Sequence, residues 1–384
     1  MVPADAGAET GPVASIYREL TDGLTRPLRV VELVYTAAEE FPGLVPTRAE
    51  IDAERQHRQK DKVGREIAQG DFVSQVLADP RCGRHLIEAM SQPTAAALAR
   101  LTDFARTGQA DLGPVRIDRD GTIGRVTLQN HAYLNAEDDD LTAAMETAID
   151  LVLLDDGIDV GVLRGAPATH PKHAGRRIFG SGINLTHLYH GQISLLEFMI
   201  ERELGAVTKM YRGHGVLTSG QREKPWIAVV DGFAIGGACQ WLLVMDRVIA
   251  EEGSYFNLPA RKEGIVPGCA NLRLPRLVGE RLARQAIFFD HVFHADQPDG
   301  RLLADEVLST DEIDAAIERA AGELTSAGTT SLTANRRQLR DVLEPLDSFR
   351  TYMSGYAREQ ARCLYSPALI DNLERSWDAR NRGR

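Results

Sequence analysis

Two glycine-rich stretches carry the residues best suited to chemistry. One is Ala234-Ile-Gly-Gly-Ala-Cys-Gln240, where two adjacent glycines follow an apolar run and open a helix. Glycine lets a backbone amide approach a ligand closely, and amides at a helix start carry outward positive partial charge. An amide at Gly237 therefore suits an oxygen on which negative charge develops. Taken alone, the stretch reads better as a tight strand-to-helix turn without a ligand. It is not alone, because Phe179-Gly-Ser-Gly-Ile-Asn-Leu185 forms a second glycine-rich turn between a strand region and a helix.

Strands and helices must position these loops. Gly124 to Gln129 reads as a strand, Leu141 to Leu154 as an amphipathic helix, and Val160 to Leu163 as a short apolar strand ending at Gly165. The order then repeats: strand Trp226 to Val230, loop Gly232 to Gly237, helix Ala238 to Met245, strand Arg247 to Ala250. This alternation predicts an α/β layer architecture. Upstream, residues 13 to 108 read as helical, with Leu28, Val31, Val34 and Tyr35 at helical spacing. Thr47 and Glu50 form a capping box ahead of a helix from Ile51 to Lys62, and Gly108 is a helix stop. Asp311 to Ala327, and Thr333 to the end, are again helical. The expected domains are residues 1–112 (helical), 113–310 (core) and 311–384 (helical, for oligomerisation).

The chain of 384 residues is 43% hydrophobic and carries a net charge of −11. That balance argues against a nucleic-acid-coating surface. No run of about 18 apolar residues predicts a membrane helix. The N-terminus, with Asp5 and Glu9, does not read as a signal peptide. Cys82, Cys239, Cys269 and Cys363 lack CxxC pairing, which fits free thiols in a cytoplasmic protein. Neither GxGxxG nor GxxxxGKS occurs, so NAD binding and nucleotide hydrolysis lack their loops. The pairs His170/His173, His187/His190 and His291/His294 have spacing open to metal binding, but no HExxH accompanies them, and no metal is expected.

From about Thr122 to Val307 the order of strands and glycine loops resembles the crotonase (enoyl-CoA hydratase/isomerase) family. Its first loop commonly reads F-x-x-G-x-D-L; here the matching residues are Phe179, Gly182, Asn184 and Leu185. The resemblance implies a crotonase-like spiral core of ββα units, extended by N-terminal and C-terminal helices. It implies an oxyanion hole for a thioester carbonyl, made by the amides of Ile183 and Gly237. One such donor is worth ~3 kcal/mol in acyl chemistry. Hydratases of the family carry two glutamates, and those positions are Gln240 and Ala260 here. The Gly264-Ile-Val-Pro-Gly268 segment sets that register. Neither residue can act as general acid or base, so water addition is not expected.

Within the family, this pattern with its long helical extension is similar to oxygenases of aryl-acetyl-CoA thioesters that use no cofactor. The resemblance implies that 3,5-dihydroxyphenylacetyl-CoA and O2 become 3,5-dihydroxyphenylglyoxylate and CoA without metal or flavin. It assigns Glu137 and Arg202 to the ring hydroxyls and leaves Gln240 to orient substrate or a water. Bland readings stand beside these: Glu137 as a helix-start carboxylate, Arg202 in a surface salt bridge, Gln240 as a capping or buried amide. Ile183, Leu185 and Ile265 are assigned to an apolar oxygen pocket, where core packing is the alternative.

Around the acyl-CoA the resemblance places His131, Ala136, Ser181, Gly182, Asn184, Leu185 and Gly236. His170, Lys172 and His173, leading to Arg176 and Arg177, are expected near the CoA phosphates. Arg340, clustered with Arg336 and Arg337, is a second candidate that a solvated helix face explains equally well. A homo-oligomer, trimer or dimer of trimers, is implied. A family hydrolase, isomerase or dehydratase, and a non-catalytic acyl-CoA-binding paralogue, are the competing functions.

Overall fold

The short apolar runs pair edge to edge in the computed structural model, which describes residues 11–218 and 220–375. Asp5, Glu9 and the last nine residues of the predicted C-terminal helical stretch lie outside the described residues. The strands are β1 (Gln109–Asp111), β2 (Val115–Asp120), β3 (Ile123–Leu128), β4 (Val160–Gly165), β5 (Trp226–Val230), β6 (Phe233–Ile235), β7 (Arg247–Glu251), β8 (Tyr255–Asn257), β9 (Phe293–His294) and β10 (Glu306–Leu308). Seven form one sheet in the order β1-β2-β3-β4-β5-β7-β10, antiparallel from β1 to β3 and parallel from β3 to β10. Strands β6, β8 and β9 form a second, smaller sheet.

A parallel sheet covered on both faces needs strands that are apolar at successive positions. Val160-Gly-Val-Leu163 and Trp226-Ile-Ala-Val-Val230 meet that requirement. Val160, Val162, Ile227, Val229 and Ile249 pack under the helix Ile313–Thr325. Leu163, Ala228, Val230 and Val248 face the other way, in a core with the helix Asp139–Leu154. The strand Phe233–Ile235 falls within the stretch predicted as loop. It pairs with Tyr255–Asn257, a segment far along the chain, so local periodicity could not reveal it.

The N-terminal helices share their core with two other parts of the chain. Tyr17, Leu33, Phe72, Val76 and Leu86 pack with Ile183, Leu195, Phe198 and Leu204, and with Phe349, Met353 and Leu369. The helices Glu66–Ala78 and Leu346–Leu364 meet at Gly70. A Cβ on Gly70 would lie 2.7 Å from the Ala357 carbonyl oxygen, so glycine sets their closeness. The predicted capping box at Thr47 and Glu50 is present, but its helix runs only Arg48–Glu54. Glu54 ends it by accepting the amides of Val63, Gly64 and Arg65, which folds the chain back.

Buried charges tie these parts together. Lys209 is fully buried and lies 2.8 Å from both Glu146 and Asp150. Arg29, from the N-terminal segment, reaches Glu146 at 2.7 Å, and His214 reaches Asp150 at 2.8 Å. Burial opposes the Asp150 charge, but Lys209 and His214 hold its pKa down to about 2. Replacing Lys209 by Met would remove the one cation shared by both buried carboxylates, leaving Glu146 to Arg29 and Asp150 to His214. Urea denaturation of Lys209→Met should show a loss of about 3–5 kcal/mol.

Candidate active site

The two glycine loops are zipped together by backbone hydrogen bonds. Gly180 N donates to Phe233 O at 3.1 Å, and Ile235 N donates to Gly180 O at 3.0 Å. This parallel bridge sets Gly182 against Gly236. Both have positive φ, +80° and +55°. A Cβ on Gly182 would stand 2.8 Å from Ile235 O, so contact between the loops requires glycine there. On the other side, Glu137 N donates to Gly182 O and Asn184 N donates to Glu137 O, both at 2.7 Å. Ile183 is thus clamped through its neighbours while its own amide keeps no acceptor among the described residues. The Gly237 amide, at the start of the helix Gly237–Leu242, likewise has none.

A narrow cavity lies against this pair. Ile183, Phe198, Met199, Leu258, Ala260, Ile265 and Val266 supply apolar wall, and Arg202, Glu203, Gln240, Glu263 and Tyr356 supply polar groups. Arg202 is buried and heavily engaged. Its Nε donates to Glu137 and one Nη donates to Glu203, both at 2.5 Å. The same Nη reaches Gln240 Oε1 at 3.1 Å, and the other donates to Gly237 O at 2.7 Å. The guanidinium also lies 4.6 Å from the centre of the Trp241 ring. Burial works against its charge, but Glu137 and Glu203 hold its pKa above the ordinary arginine value. Because Arg202 has only donors, Gln240 must turn Oε1 toward it, leaving Nε2 to donate elsewhere.

Ile183 and Glu263 also border a wider outer cleft. Ala136, His170, Ser181, Asn184 and Leu185 line that cleft, with Tyr133, Leu134 and Ile235. His173 stacks edge-on with Phe233 behind His170, and Lys172 is exposed beside it. His131 opens the short turn His131–Tyr133, whose later residues reach the cleft while His131 does not line it.

Several expected positions are corrected. Leu185 borders the outer cleft rather than the inner cavity with Ile183 and Ile265, because Asn184 caps a helix there and strand alternation stops. Glu137 does not line the cavity. Its carboxylate sits behind Gly237, where a Cβ would meet it at 2.7 Å, and it also accepts from Trp241 Nε1. The salt bridge of Arg202 is buried, not at the surface. Arg340 lies away from both spaces, buried with Arg336 against Glu223, which also binds Arg337. Arg176 and Arg177 open onto a different cleft beside Arg164 and Asp231. Sequence reasoning missed Glu203, Glu263, Met199 and Tyr356. Met199, Arg202 and Glu203 face one cavity because the chain forms wide π-turns over Leu195–Ile200 and Arg202–Val207, a register that α-helical periodicity does not predict.

Known proteins resemble this chain in sequence and in fold. The family described as enoyl-CoA hydratase/isomerase matches residues 118–354. The chain belongs to that family. A (3,5-dihydroxyphenyl)acetyl-CoA 1,2-dioxygenase from Amycolatopsis orientalis is 48% identical over 363 residues, covering 93% of this chain and 82% of the relative. A crotonyl-CoA hydratase from Syntrophomonas wolfei is 28% identical over 230 residues, covering 59% and 82%. An enoyl-CoA hydratase/isomerase structure from Xanthobacter autotrophicus superposes with a TM-score of 0.59 at 22% identity, over 71% of this chain and 96% of that one. This chain therefore shares the fold of that hydratase/isomerase structure. Among the described residues no group of three or more His, Cys, Asp and Glu is arranged to hold a metal ion, and no helix is long and apolar enough to cross a membrane.

Arg202→Met keeps the side chain's length but leaves Glu137 and Glu203 buried without their cation. Chemical denaturation should register a loss of about 3–5 kcal/mol relative to the parent protein.

Proposed function

We propose that this enzyme is a dioxygenase that converts 3,5-dihydroxyphenylacetyl-CoA and O2 to 3,5-dihydroxyphenylglyoxylate and CoA. The carrying observation is a pair of amides, Ile183 and Gly237, that have no acceptor among the described residues and border a largely apolar cavity from which both hydratase carboxylates are missing. Gln240 and Ala260 occupy those places. The 48% identity with the Amycolatopsis dioxygenase supports the same substrate.

The chemistry follows from what the residues can hold. The thioester carbonyl accepts hydrogen bonds from the Ile183 and Gly237 amides, which bind it more strongly as it becomes an enolate oxygen. The electron-rich enolate reduces dioxygen, and a peroxide forms at the α-carbon. The peroxide attacks the thioester carbonyl, CoA departs, and O–O cleavage leaves the 2-oxo acid. The substrate supplies the electrons, so the protein's own part is to bind, orient and exclude water. Ile183 and Ile265 provide apolar wall for oxygen; Gln240 Nε2, Arg202 and Glu203 provide polar contacts for the ring hydroxyls. The outer cleft, with His170 and Lys172 at its rim, suits the CoA arm. CoA enters as part of the substrate, and neither metal nor flavin is required by this sequence of steps.

A homo-oligomer, trimer or dimer of trimers, and a cytoplasmic location complete the proposal. Exposed Leu339, Val342 and Leu343 on one C-terminal helix support contact between copies.

Oxygen uptake with 3,5-dihydroxyphenylacetyl-CoA in chelator-treated buffer should match CoA release one for one. Turnover that continues unchanged under argon would refute the oxygenase in favour of a family hydrolase or isomerase. Gln240→Glu should slow oxygenation by about tenfold or more, because it removes a donor and puts a third carboxylate on Arg202. Steady-state oxygen-electrode measurements check this, and a faster oxygenase would contradict the placement.

A further inference from the structure

An enolate forms only if the α-carbon loses a proton, and most carboxylates near the cavity are already committed. Glu137 accepts from Arg202 and Trp241. Glu203 accepts from Arg202 and from the Cys269 amide. Asp138 is bound by Asn184, Leu141 and His187. Glu263 differs from all three: it borders both the inner cavity and the outer cleft, and no hydrogen bond or ion pair reaches its carboxylate among the described residues. It ends the short helix Ala260–Glu263, and Gly264 turns the chain away at φ +80°. Its Oε2 lies 3.9 Å from where a Cβ on Gly236 would stand, next to the Gly237 amide.

We propose that Glu263 is the general base that removes the α-proton of the acyl thioester. The assignment rests on the reaction proposed above. Its position at the junction of the two spaces is where the α-carbon and thioester sulfur of an acyl chain held by Ile183 and Gly237 must lie. The carboxylate takes the first α-proton, and the C–H electron pair becomes the enolate double bond, with charge on the oxygen between the two amides. Dioxygen accepts two electrons from the enolate, a C–O bond forms, and a peroxide anion remains. When that anion attacks the carbonyl, the C–S bond breaks and the thiolate leaves with the electron pair. Glu263 gives the stored proton to this sulfur, which yields the CoA thiol and restores the carboxylate. It then takes the second α-proton as the O–O bond of the cyclic peroxide breaks. The C–H pair becomes the new C=O bond, the O–O pair stays on the carboxylate oxygen, and the proton passes to water through the outer cleft.

Titration favours the role. Burial, with Asp290 nearby, lifts the Glu263 pKa to about 7 against the opposing effect of Lys262. A base poised there is largely available at neutral pH yet strong enough to hold a proton. The charged groups on the two helices packed against it are Glu280, Arg281 and Arg284 on one and Asp371, Glu374 and Arg375 on the other. Glu280 and Arg284 pair with each other on the helix Glu280–Phe289, as Asp371 and Arg375 do on the helix Pro367–Arg375. Across the cavity stands the Arg202–Glu203 pair.

The test uses the full chain and 3,5-dihydroxyphenylacetyl-CoA in D2O under argon, with α-deuterium followed by mass spectrometry. The parent protein should wash deuterium into the α-carbon, and the rate should rise with pH to a plateau through about pH 7. Glu263→Gln should exchange at least about 100-fold more slowly, with thioester affinity changed less than about threefold and without that pH-dependent rise. Glu263→Asp should recover part of the rate. A Gln variant that exchanges like the parent protein overturns the assignment. So does a parent protein that fails to exchange, or exchanges without the rise near pH 7, a measurement that needs no variant to fold. Exchange without oxygen uptake in air would keep Glu263 as the base and remove the oxygenase reading.

Discussion

One guanidinium holds the site in shape. Arg202 donates at once to Glu137, Glu203, Gln240 and the Gly237 carbonyl, and lies over Trp241. These partners come from three separate parts of the chain. Glu137 clamps the loop that presents Ile183, Glu203 shares the wide helical turns with Arg202, and Gly237 begins the helix of the second loop. A buried cation demands a full set of acceptors, and a buried carboxylate demands donors. The spacing of the Ile183 and Gly237 amides is therefore set largely by charges that lie behind them.

The same arrangement explains what the site lacks. With Glu137 and Glu203 bound to Arg202, neither is free to deliver or activate water. Gln240 is locked with its oxygen toward the arginine, and Ala260 offers only a methyl group to the cavity. What remains on the walls is mostly hydrocarbon around two backbone donors. A space of low polarity strengthens any hydrogen bond those two backbone donors make. Glu263, without a hydrogen-bond or ion-pair partner among the described residues, stands with Ile183 where this space meets the outer cleft.

The helical extension belongs to this design through packing. Its apolar side forms one core with the segment from Ile183 to Leu204 and with the last helices, so it backs the wall that carries Met199 and Arg202. Much of this was legible beforehand. The strand Trp226–Val230, the helix Asp139–Leu154 and the cap at Thr47 follow from local pattern and local hydrogen bonding. The helix after Thr47 ends early because Glu54 captures amides nine to eleven residues onward, a choice no periodicity encodes. Arg340 looked like a phosphate ligand because a row of arginines marks a charged face. Its partner, Glu223, is 117 positions away in sequence.

By itself the amino-acid sequence determined the two glycine loops, the strands before them, the missing hydratase acids and the helical flanks. These are properties of residue type and short spacing, where one glycine or one carboxylate speaks for its own position. Only the tertiary structure decided which side chains meet: that Glu137 stands behind Gly237, that Leu185 leaves the inner cavity, and that Glu203 and Glu263 enter it. The physical reason is that these placements depend on pairing across long stretches of chain and on the π-turn register of one segment. There, burial of charge and closure of the core outweigh the local preferences that a sequence displays.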